Sequence, residues 1–335
     1  MKFNVIVYRC FVLLLAAVML LSAAACSSKT AANDSTPSPS QPSSAAPVAP
    51  AVVQPEQSPA PDISKDREGN PIDLPASIER VIALGPSNNE ELIALGCGDK
   101  IIAADEYSKN IPELPKGIPL FSMMTPDGEK IIELNPDVIF VTGMSKVGGT
   151  DPFQVVKEAG LCVVYIPSSS SIEAIKEDIR YLAAVMGAQA NCDKIIADMD
   201  REIEAIASVG RSITDKKRVY FEVGAAPYMY ATGRGTFIHE MIELIGAENI
   251  LADQERWVSV ADETVLEANP DVILTSVNYI PDPIDEIKSR PGWDKVTAVH
   301  NGDVYYIDTD ASNRPSHHVV KALKMMAQSV YPDKY

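Results

Sequence analysis

The histidines and acids of the chain approach one metal-binding pattern and then depart from it. His239-Glu240 is followed by Glu243, where the zinc-protease pattern H-E-x-x-H has its second histidine. His317 and His318 are adjacent, so on a helix they point to different faces and cannot form the i, i+4 pair that a metal needs. The sequence contains neither the G-x-S-x-G motif nor a G-x-x-x-x-G-K-[ST] phosphate loop. We therefore predict no catalytic residue, metal site or resident cofactor, and no enzyme.

Aromatic, thioether and cationic side chains follow or precede several predicted strands, where α/β proteins bind ligands. Together they suit a large, flat or chelated ligand that carries anionic groups. Met123 and Met124 equally suit core packing, and Arg234 equally suits an exposed turn. Haem ligation by a methionine and a histidine stays open. The candidate cleft residues are Met123, Met124, Met144, Lys146, Tyr228, Tyr230, Arg234, Trp257, Tyr279 and Arg314.

Short β-branched runs alternate with helical segments and predict parallel α/β sheets. The predicted strands include residues 80–84, 137–141, 162–166 and 219–223. An N-capped helix is predicted over Ser87–Leu95, ended by Gly96.

The chain contains an internal repeat. Residues 129–140 match residues 263–274 at an offset of 134, with seven of twelve positions identical. Both copies predict an amphipathic helix, an Asn-Pro-Asp turn and a buried strand. A second match pairs Glu90 and Gly96 with Glu240 and Gly246 at an offset of 150. Copies so far apart indicate two similar lobes rather than a short-period solenoid.

The segment between the lobes, residues 171–209, has no strand signal and is divided by Gly187. Its second part, residues 188–209, has apolar residues at helical spacing. A helix of that length spans about 30 Å. It would form a stiff hinge that allows a few degrees of opening.

Charge excludes some partners. The 335 residues contain 46 acidic and 29 basic side chains, which gives a net charge of −17. We expect neither nucleic acid nor an anionic membrane face as the main partner. Cys97, Cys162 and Cys192 lie among apolar residues outside any CxxC pair, and we predict free thiols.

The first residues resemble a bacterial lipoprotein signal. A basic start and an apolar run lead to small residues and then to Cys26. The alternative is an ordinary signal with an incidental Cys26. Eight prolines and many Ser and Ala follow in residues 27–62, which predicts an extended spacer. We expect a signal peptide at 1–25, a lipid-anchored linker at 26–62 and a folded domain at 63–335, outside the cytoplasm on the outer face of the cell membrane.

Residues 79–333 resemble the helical-backbone class of ABC-transporter substrate-binding lipoproteins, the iron-siderophore and vitamin B12 receptors. The strings that carry the resemblance are Arg80–Gly96, Asn135–Ile139, Thr236–Gly246, Glu248–Ile250 and Asn269–Ile273. The resemblance implies two Rossmann-like α/β lobes joined by one long backbone helix, with ligand in the cleft between them. The lobes would cover about residues 79–168 and 216–335, with the backbone-helix region at about 171–209.

The same resemblance implies a monomer that delivers its cargo to an ABC permease and its ATPase. One surface glutamate per lobe docks on the permease in that family. Glu90 is the candidate in the first lobe; in the second, Glu243 is favoured over Glu240, its repeat counterpart. Ferric siderophore and corrinoid are the two main ligand classes implied. A haem receptor and a sensor or scavenger without a transporter are the alternatives.

Overall fold

Eleven strands form two sheets in the part of the chain that this computed structural model describes, residues 60–146 and 149–335. The predicted signal segment, Cys26 and the predicted linker up to residue 59 lie outside the described residues. No helix of the described part is long and apolar enough to cross a membrane.

The first sheet is wholly parallel, with the strand order β3-β2-β1-β4-β5. Its central strands are buried on both faces, as helix-covered parallel strands are. The strands predicted at 80–84, 137–141 and 162–166 are confirmed to within one residue at each end. The bounds are β1 (Val81–Leu84), β2 (Ile101–Asp105), β3 (Leu120–Phe121), β4 (Val138–Thr142) and β5 (Val163–Ile166).

The second sheet is mixed: the predicted parallel arrangement is confirmed for β6, β8, β10 and β11, but not for the pairings of β7. Its order is β11-β10-β6-β7-β9, with β8 beside β6, and β7 runs antiparallel to both β6 and β9. Only residues 225–229 join β6 to β7, and a parallel crossover needs a dozen or more residues. The bounds are β6 (Arg218–Gly224), β7 (Tyr230–Thr232), β8 (Glu248–Asn249), β9 (Trp257–Ser259), β10 (Val272–Thr275) and β11 (Val304–Tyr306).

The first helix begins one residue before its predicted start, at Pro86, and no side chain caps it. Proline suits this position because the first helical N–H has no partner within the helix. Gly96 ends the helix as predicted, with a left-handed φ of +79°. The bounds are α1 (Pro86–Ala94), α2 (Gly128–Glu133), α3 (Gln154–Glu158), α4 (Ile172–Met186), α5 (Gln189–Gly210), α6 (Phe237–Leu244), α7 (Asp262–Ala268), α8 (Pro283–Ser289), α9 (Thr297–Asn301), α10 (Thr309–Asn313) and α11 (Val319–Val330).

The internal repeat has the same local structure in both lobes. Asn135 and Asn269 both end their helix with φ of +45°. The following proline disfavours the right-handed helical conformation, and asparagine tolerates the left-handed one.

The aspartate of each repeat fixes the start of the neighbouring strand. Oδ2 of Asp137 accepts the N–H of Arg80 at 2.8 Å, and Oδ2 of Asp271 accepts the N–H of Arg218 at 2.8 Å. Both arginine side chains then donate to carbonyls at the end of the repeat helix. The shared sequence therefore encodes a shared junction of helix, turn and two strands.

Two helices connect the sheets. Gly187 separates them, as predicted, and ends α4 in the left-handed conformation with φ of +70°. The predicted backbone helix at 188–209 is confirmed as α5, whose 22 residues span about 33 Å. It packs against α4 and also against α6 and α11 of the second lobe.

One apolar core runs through both lobes. Val81 of the first sheet and Val219 of the second belong to the same buried cluster. Their neighbours Ile82 and Tyr220 point to the opposite faces of their sheets and belong to two smaller clusters. The connecting helices therefore share a continuous core with both sheets.

The three cysteines of the described part are free thiols, as predicted. Cys97 and Cys192 are buried, and Cys162 is half-buried. Burial raises the pKa of the Cys162 thiol to about 11. These thiols are therefore protonated at neutral pH and act as small apolar groups.

Gly210 allows α5 to approach the end of α6. A Cβ at this position would lie 2.1 Å from the carbonyl oxygen of Leu244 and 2.9 Å from the nitrogen of Gly246. Alanine is favoured over glycine by about 1 kcal/mol in a free helix, but here it displaces one backbone from another. We expect Gly210→Ala to lower the free energy of unfolding by about 1–3 kcal/mol in urea titrations. The exposed Ser208→Ala is the control, and equal stability of the two variants would contradict this contact.

Candidate functional site

A cavity of about 280 Å³ lies at the carboxyl ends of the first sheet's strands. The loops after β1, β4 and β5 line it, and the segment before α11 closes it from the second lobe. This is the edge at which parallel α/β sheets bind ligands. Its lining includes Asn88, Tyr107, Met123, Met124, Met144, Ser168, Asn313 and Arg314.

Four of the predicted cleft residues line this cavity: Met123, Met124, Met144 and Arg314. Met123 is only 7% exposed, whereas Met124 and Met144 are 38% and 51% exposed. The two exposed thioethers therefore form an adaptable apolar wall that a ligand can reach.

The aromatic candidates lie on the second lobe and do not line the 280 Å³ cavity. Tyr228, Tyr230, Trp257 and Tyr279 are all exposed, Tyr228 most of all at 84%. Oη of Tyr279 accepts the N–H of Ala225 at 2.8 Å, which fixes the loop after β6. The ring of Tyr279 stays exposed and is held in place.

A broader cavity of about 510 Å³ lies on the second lobe. The loop after β10 lines it, together with Tyr306 at the end of β11. Sequence reasoning missed Tyr306 because β11 was not predicted. A strand prediction at 304–306 would have placed Tyr306 at a carboxyl end, next to the loop that follows β10.

All three predicted cationic ligands of the cleft are already paired with carboxylates. Nζ of Lys146 lies 2.5 Å from Glu68 and 3.5 Å from the centre of the Tyr165 ring. Nη2 of Arg234 lies 2.5 Å from Glu255.

Arg314 is paired on both sides of its guanidinium. Nη1 lies 2.5 Å from Glu90, and Nη2 lies 2.7 Å from Asp310. Nη2 also donates to the carbonyl of Tyr107 at 3.3 Å. The cleft therefore offers thioether, aromatic and neutral polar groups more than unpaired positive charge.

The carboxylate of Asp105 joins two loops of the cavity. It is fully buried, and it accepts the N–H of Gly85 at 3.1 Å and the N–H of Tyr107 at 2.9 Å. Asn89 and Ser108 also donate to it. Burial raises the pKa of Asp105, although these hydrogen bonds favour the charged form. Sequence reasoning missed this residue, and its place at the end of a buried strand was the available signal.

The prediction that Glu90 lies on the surface of the first lobe is wrong. Its side chain is 4% exposed and accepts hydrogen bonds from Nη1 of Arg314 at 2.5 Å and from Oγ of Ser316 at 2.6 Å. Burial raises the pKa of Glu90, and both partners oppose this effect. The partners are more than 220 residues away in sequence, so no local pattern reveals them.

The two second-lobe candidates differ in their surroundings. Oε2 of Glu240 accepts the N–H of Ile172 at 2.8 Å, at the start of α4. Glu243 is 64% exposed, and its carboxylate lies 3.5 Å from Nε2 of His239. Of the two, Glu243 is therefore the more accessible.

The internal repeat contains a further pair of acids that sequence reasoning did not assign. Glu129 and Glu263 are equivalent in the repeat, and both are exposed in the first turn of their helices, α2 and α7. α2 follows β3 and α7 follows β9, so both helices begin at the carboxyl edge of their sheet. The internal repeat was the sequence signal that could have singled out this pair, because it places an acid at the same position in both lobes.

The two adjacent histidines before α11 differ in their surroundings. Nδ1 of His317 lies 3.2 Å from Glu91, and although burial lowers its pKa, this contact leaves the pKa of His317 raised. Burial, with the adjacent His317, lowers the pKa of His318 to about 4. Within residues 60–146 and 149–335, no group of three or more His, Cys, Asp or Glu is placed to hold a metal ion.

Comparison with protein families matches residues 81–311 to a family described as periplasmic binding protein. A Bacillus subtilis protein named as an uncharacterized ABC transporter substrate-binding lipoprotein is 29% identical over 275 residues, 81% of this chain and 85% of the relative. A vitamin B12-binding protein of Vibrio parahaemolyticus is 27% identical over 256 residues, 73% of this chain and 87% of the relative.

Solved structures resemble the same part of the chain. A possible iron-binding, periplasmic solute-binding protein of Staphylococcus epidermidis has a TM-score of 0.68 and 27% identity. The match covers 76% of this chain and 99% of that protein.

The Asp105 junction leads to a stability prediction. Asp105→Ala would leave the buried N–H groups of Gly85 and Tyr107 and the amide of Asn89 without their acceptor. We expect this variant to lower the free energy of unfolding by about 3 kcal/mol in urea titrations. The adjacent exposed Glu106→Ala is the control, expected to stay within about 0.5 kcal/mol of the parent. Equal losses in both variants would show that Asp105 does not hold the loops.

Proposed function

The chain belongs to the periplasmic binding protein family, and on that basis we propose that it is the substrate-binding receptor of an ABC importer with a corrinoid as its cargo. The single observation that carries the cargo assignment is the cleft. Its candidate cations are all paired, and its accessible wall is formed by thioethers and neutral polar groups.

Charge separates the two ligand classes. A ferric siderophore complex that is anionic gains affinity from unpaired arginine or lysine. Here Lys146, Arg234 and Arg314 are each bound to a carboxylate, and the chain carries a net charge of −17. A corrinoid is broad and flat, with neutral amides at its edge. Apolar walls with scattered amide and hydroxyl groups suit that chemistry better.

The two lobes divide the contacts by chemistry. Met124 and Met144 lie on the first lobe, and the exposed rings of Tyr279 and Tyr306 lie on the second. A flat ligand between them would contact sulfur on one side and aromatic faces on the other. The vitamin B12-binding relative supports this assignment.

The receptor is proposed to be tethered outside the cytoplasm. A signal segment at 1–25 would be removed, Cys26 would carry the lipid, and the spacer would extend to residue 62, ahead of the domain at 63–335. The Bacillus subtilis relative, named as a lipoprotein, supports the anchor. Acyl chains contribute roughly 0.8 kcal/mol per buried CH₂ to membrane attachment.

Docking on the permease is assigned to Glu129 and Glu263. The family resemblance implies one accessible acid on each lobe, and the internal repeat offers acids at equivalent places. Glu90 is buried, and under the repeat Glu243 corresponds to Ile93. Glu129 and Glu263 are equivalent, exposed and at the cleft edge of their sheets. Exposed charges of this kind mainly steer and orient an encounter.

Titration calorimetry of the full-length chain in detergent tests the cargo. We expect cobinamide and cobalamin to bind with a Kd of about 1 µM or tighter, and a ferric catecholate siderophore and haem to bind at least about tenfold more weakly. Preference for the siderophore or for haem would contradict the corrinoid assignment and leave the receptor function standing. Binding of none of the four would contradict a chelated-metal cargo.

A matched pair of variants locates that binding in the cleft. Met144→Glu, at a side chain 51% exposed, is expected to raise the corrinoid Kd at least about tenfold, because it sets an unpaired charge against an apolar ligand face. Val155→Glu, at a side chain 49% exposed outside the cavity, should leave the Kd unchanged.

Exchange of both docking acids tests delivery. Glu129→Arg with Glu263→Arg is expected to reduce uptake of labelled cobalamin by cells at least about tenfold while the Kd is retained, because the variant reverses the charge with which each lobe would dock. Glu133→Arg with Glu267→Arg is the control, since these acids are exposed, equivalent in the same repeat and at the other end of the same helices. Equal uptake by the two double variants would contradict the docking assignment.

A further inference from the structure

Two acids of α1, in the first lobe, bind the segment that leads into α11 of the second lobe. Glu90 accepts from Arg314 at 2.5 Å and from Ser316 at 2.6 Å, and Glu91 accepts the N–H of His317 at 2.6 Å. The carboxylates of Glu90 and Glu91 are 4% and 3% exposed. This contact therefore lies inside the molecule, between the lobes.

A second contact runs in the opposite direction. Glu240 of α6, in the second lobe, accepts the N–H of Ile172, the first residue of α4. α4 is fixed to the first lobe, because its Asp178 binds Arg67 at 2.7 Å and its Tyr181 donates to the carbonyl of Lys65 at 2.8 Å. A second-lobe carboxylate thus holds the start of a first-lobe helix.

The two contacts are related by the internal repeat. Glu90 and Glu240 are equivalent at the offset of 150, and each lies on the first helix of its lobe. Their targets lie at similar places in the two lobes. α4 is the first helix after β5, the last strand of the first lobe, and α11 follows β11, the last strand of the second, with the short helix α10 between them.

We propose that Glu90 and Glu240 form a reciprocal clasp that sets the angle between the two lobes. Glu90 of α1 binds the segment that leads into α11 of the second lobe. Glu240 of α6 binds the start of α4, which is fixed to the first lobe. The clasp concerns the lobe angle and goes beyond the proposed function, so it does not depend on the identity of the cargo.

The two halves of the clasp differ in strength. Glu90 is buried and has a charged partner and a hydroxyl partner, whereas Glu240 is half-buried and receives one backbone N–H. Breaking a buried charge pair costs far more than losing one partly solvated hydrogen bond. Opening therefore begins at Glu240, and the lobes turn about the Glu90 half.

Glu90 is also a positioning residue for the cleft. The guanidinium that it binds belongs to Arg314, which lines the cavity and reaches the carbonyl of Tyr107. Lobe angle and the shape of this wall therefore change together.

Distance measurement between the lobes tests the clasp. Spin labels attached to a ketone-bearing amino acid at the exposed positions 155 and 288 report one lobe each, in the full-length chain in detergent. We expect one narrow distance distribution for the parent, a broader and longer one for Glu240→Ala, which removes the acceptor of the Ile172 N–H, and a further increase when Glu90→Ala is added. Glu243→Ala, exposed on the same helix as Glu240, should match the parent.

Hydrogen exchange provides a second readout. In Glu240→Ala, which lacks the acceptor, the amide of Ile172 should exchange about tenfold faster, while the amides of α11 keep the parent rate. If Glu90→Ala does not fold, Glu240→Ala alone decides the outcome. Parent-like distances together with a parent-like exchange rate at Ile172 would overturn the clasp.

Discussion

Burial of the Glu90 carboxylate between the lobes is the constraint on which the cleft depends. A charge removed from water is stable only where donors replace the lost solvent, and Arg314 and Ser316 do so from the other lobe. Separation at this point would leave the buried carboxylate without its charged partner, whereas the guanidinium would keep Asp310 alone. The lobe angle, the place of Arg314 and the shape of the cavity therefore follow from one contact.

Duplication explains why so much of the architecture follows from the sequence. Strands β1, β4 and β5 are buried on both faces, so they appear as continuous apolar runs, and the repeated Asn-Pro-Asp turn marks the same junction in each lobe. The long helix α5 was predictable because its apolar face is continuous. These features depend on neighbours within a few residues.

What the sequence could not predict depends on distant partners. In the sequence, Glu90 has the pattern of an exposed helical acid, and only the fold brings Arg314 and Ser316 against it. In the same way, only the fold brings Glu68 against the cation of Lys146. The antiparallel turn of the second sheet follows from the short connection between β6 and β7. Four cleft candidates line the 280 Å³ cavity, and the others lie elsewhere. The sequence predicts where a strand ends, but not the path of the loop that follows it, and that path decides where each side chain lies.

The accessible thioethers of Met124 and Met144 have a consequence for a protein that works outside the cytoplasm. Oxidants convert methionine to its sulfoxide, which places a polar, chiral oxygen where sulfur had been. Such oxidation would leave the sheets intact and make only the methionine-lined wall of the cavity more polar. The receptor would then stay folded but bind its ligand more weakly, so its inactivation by oxidants would be a chemical change in the cleft rather than unfolding.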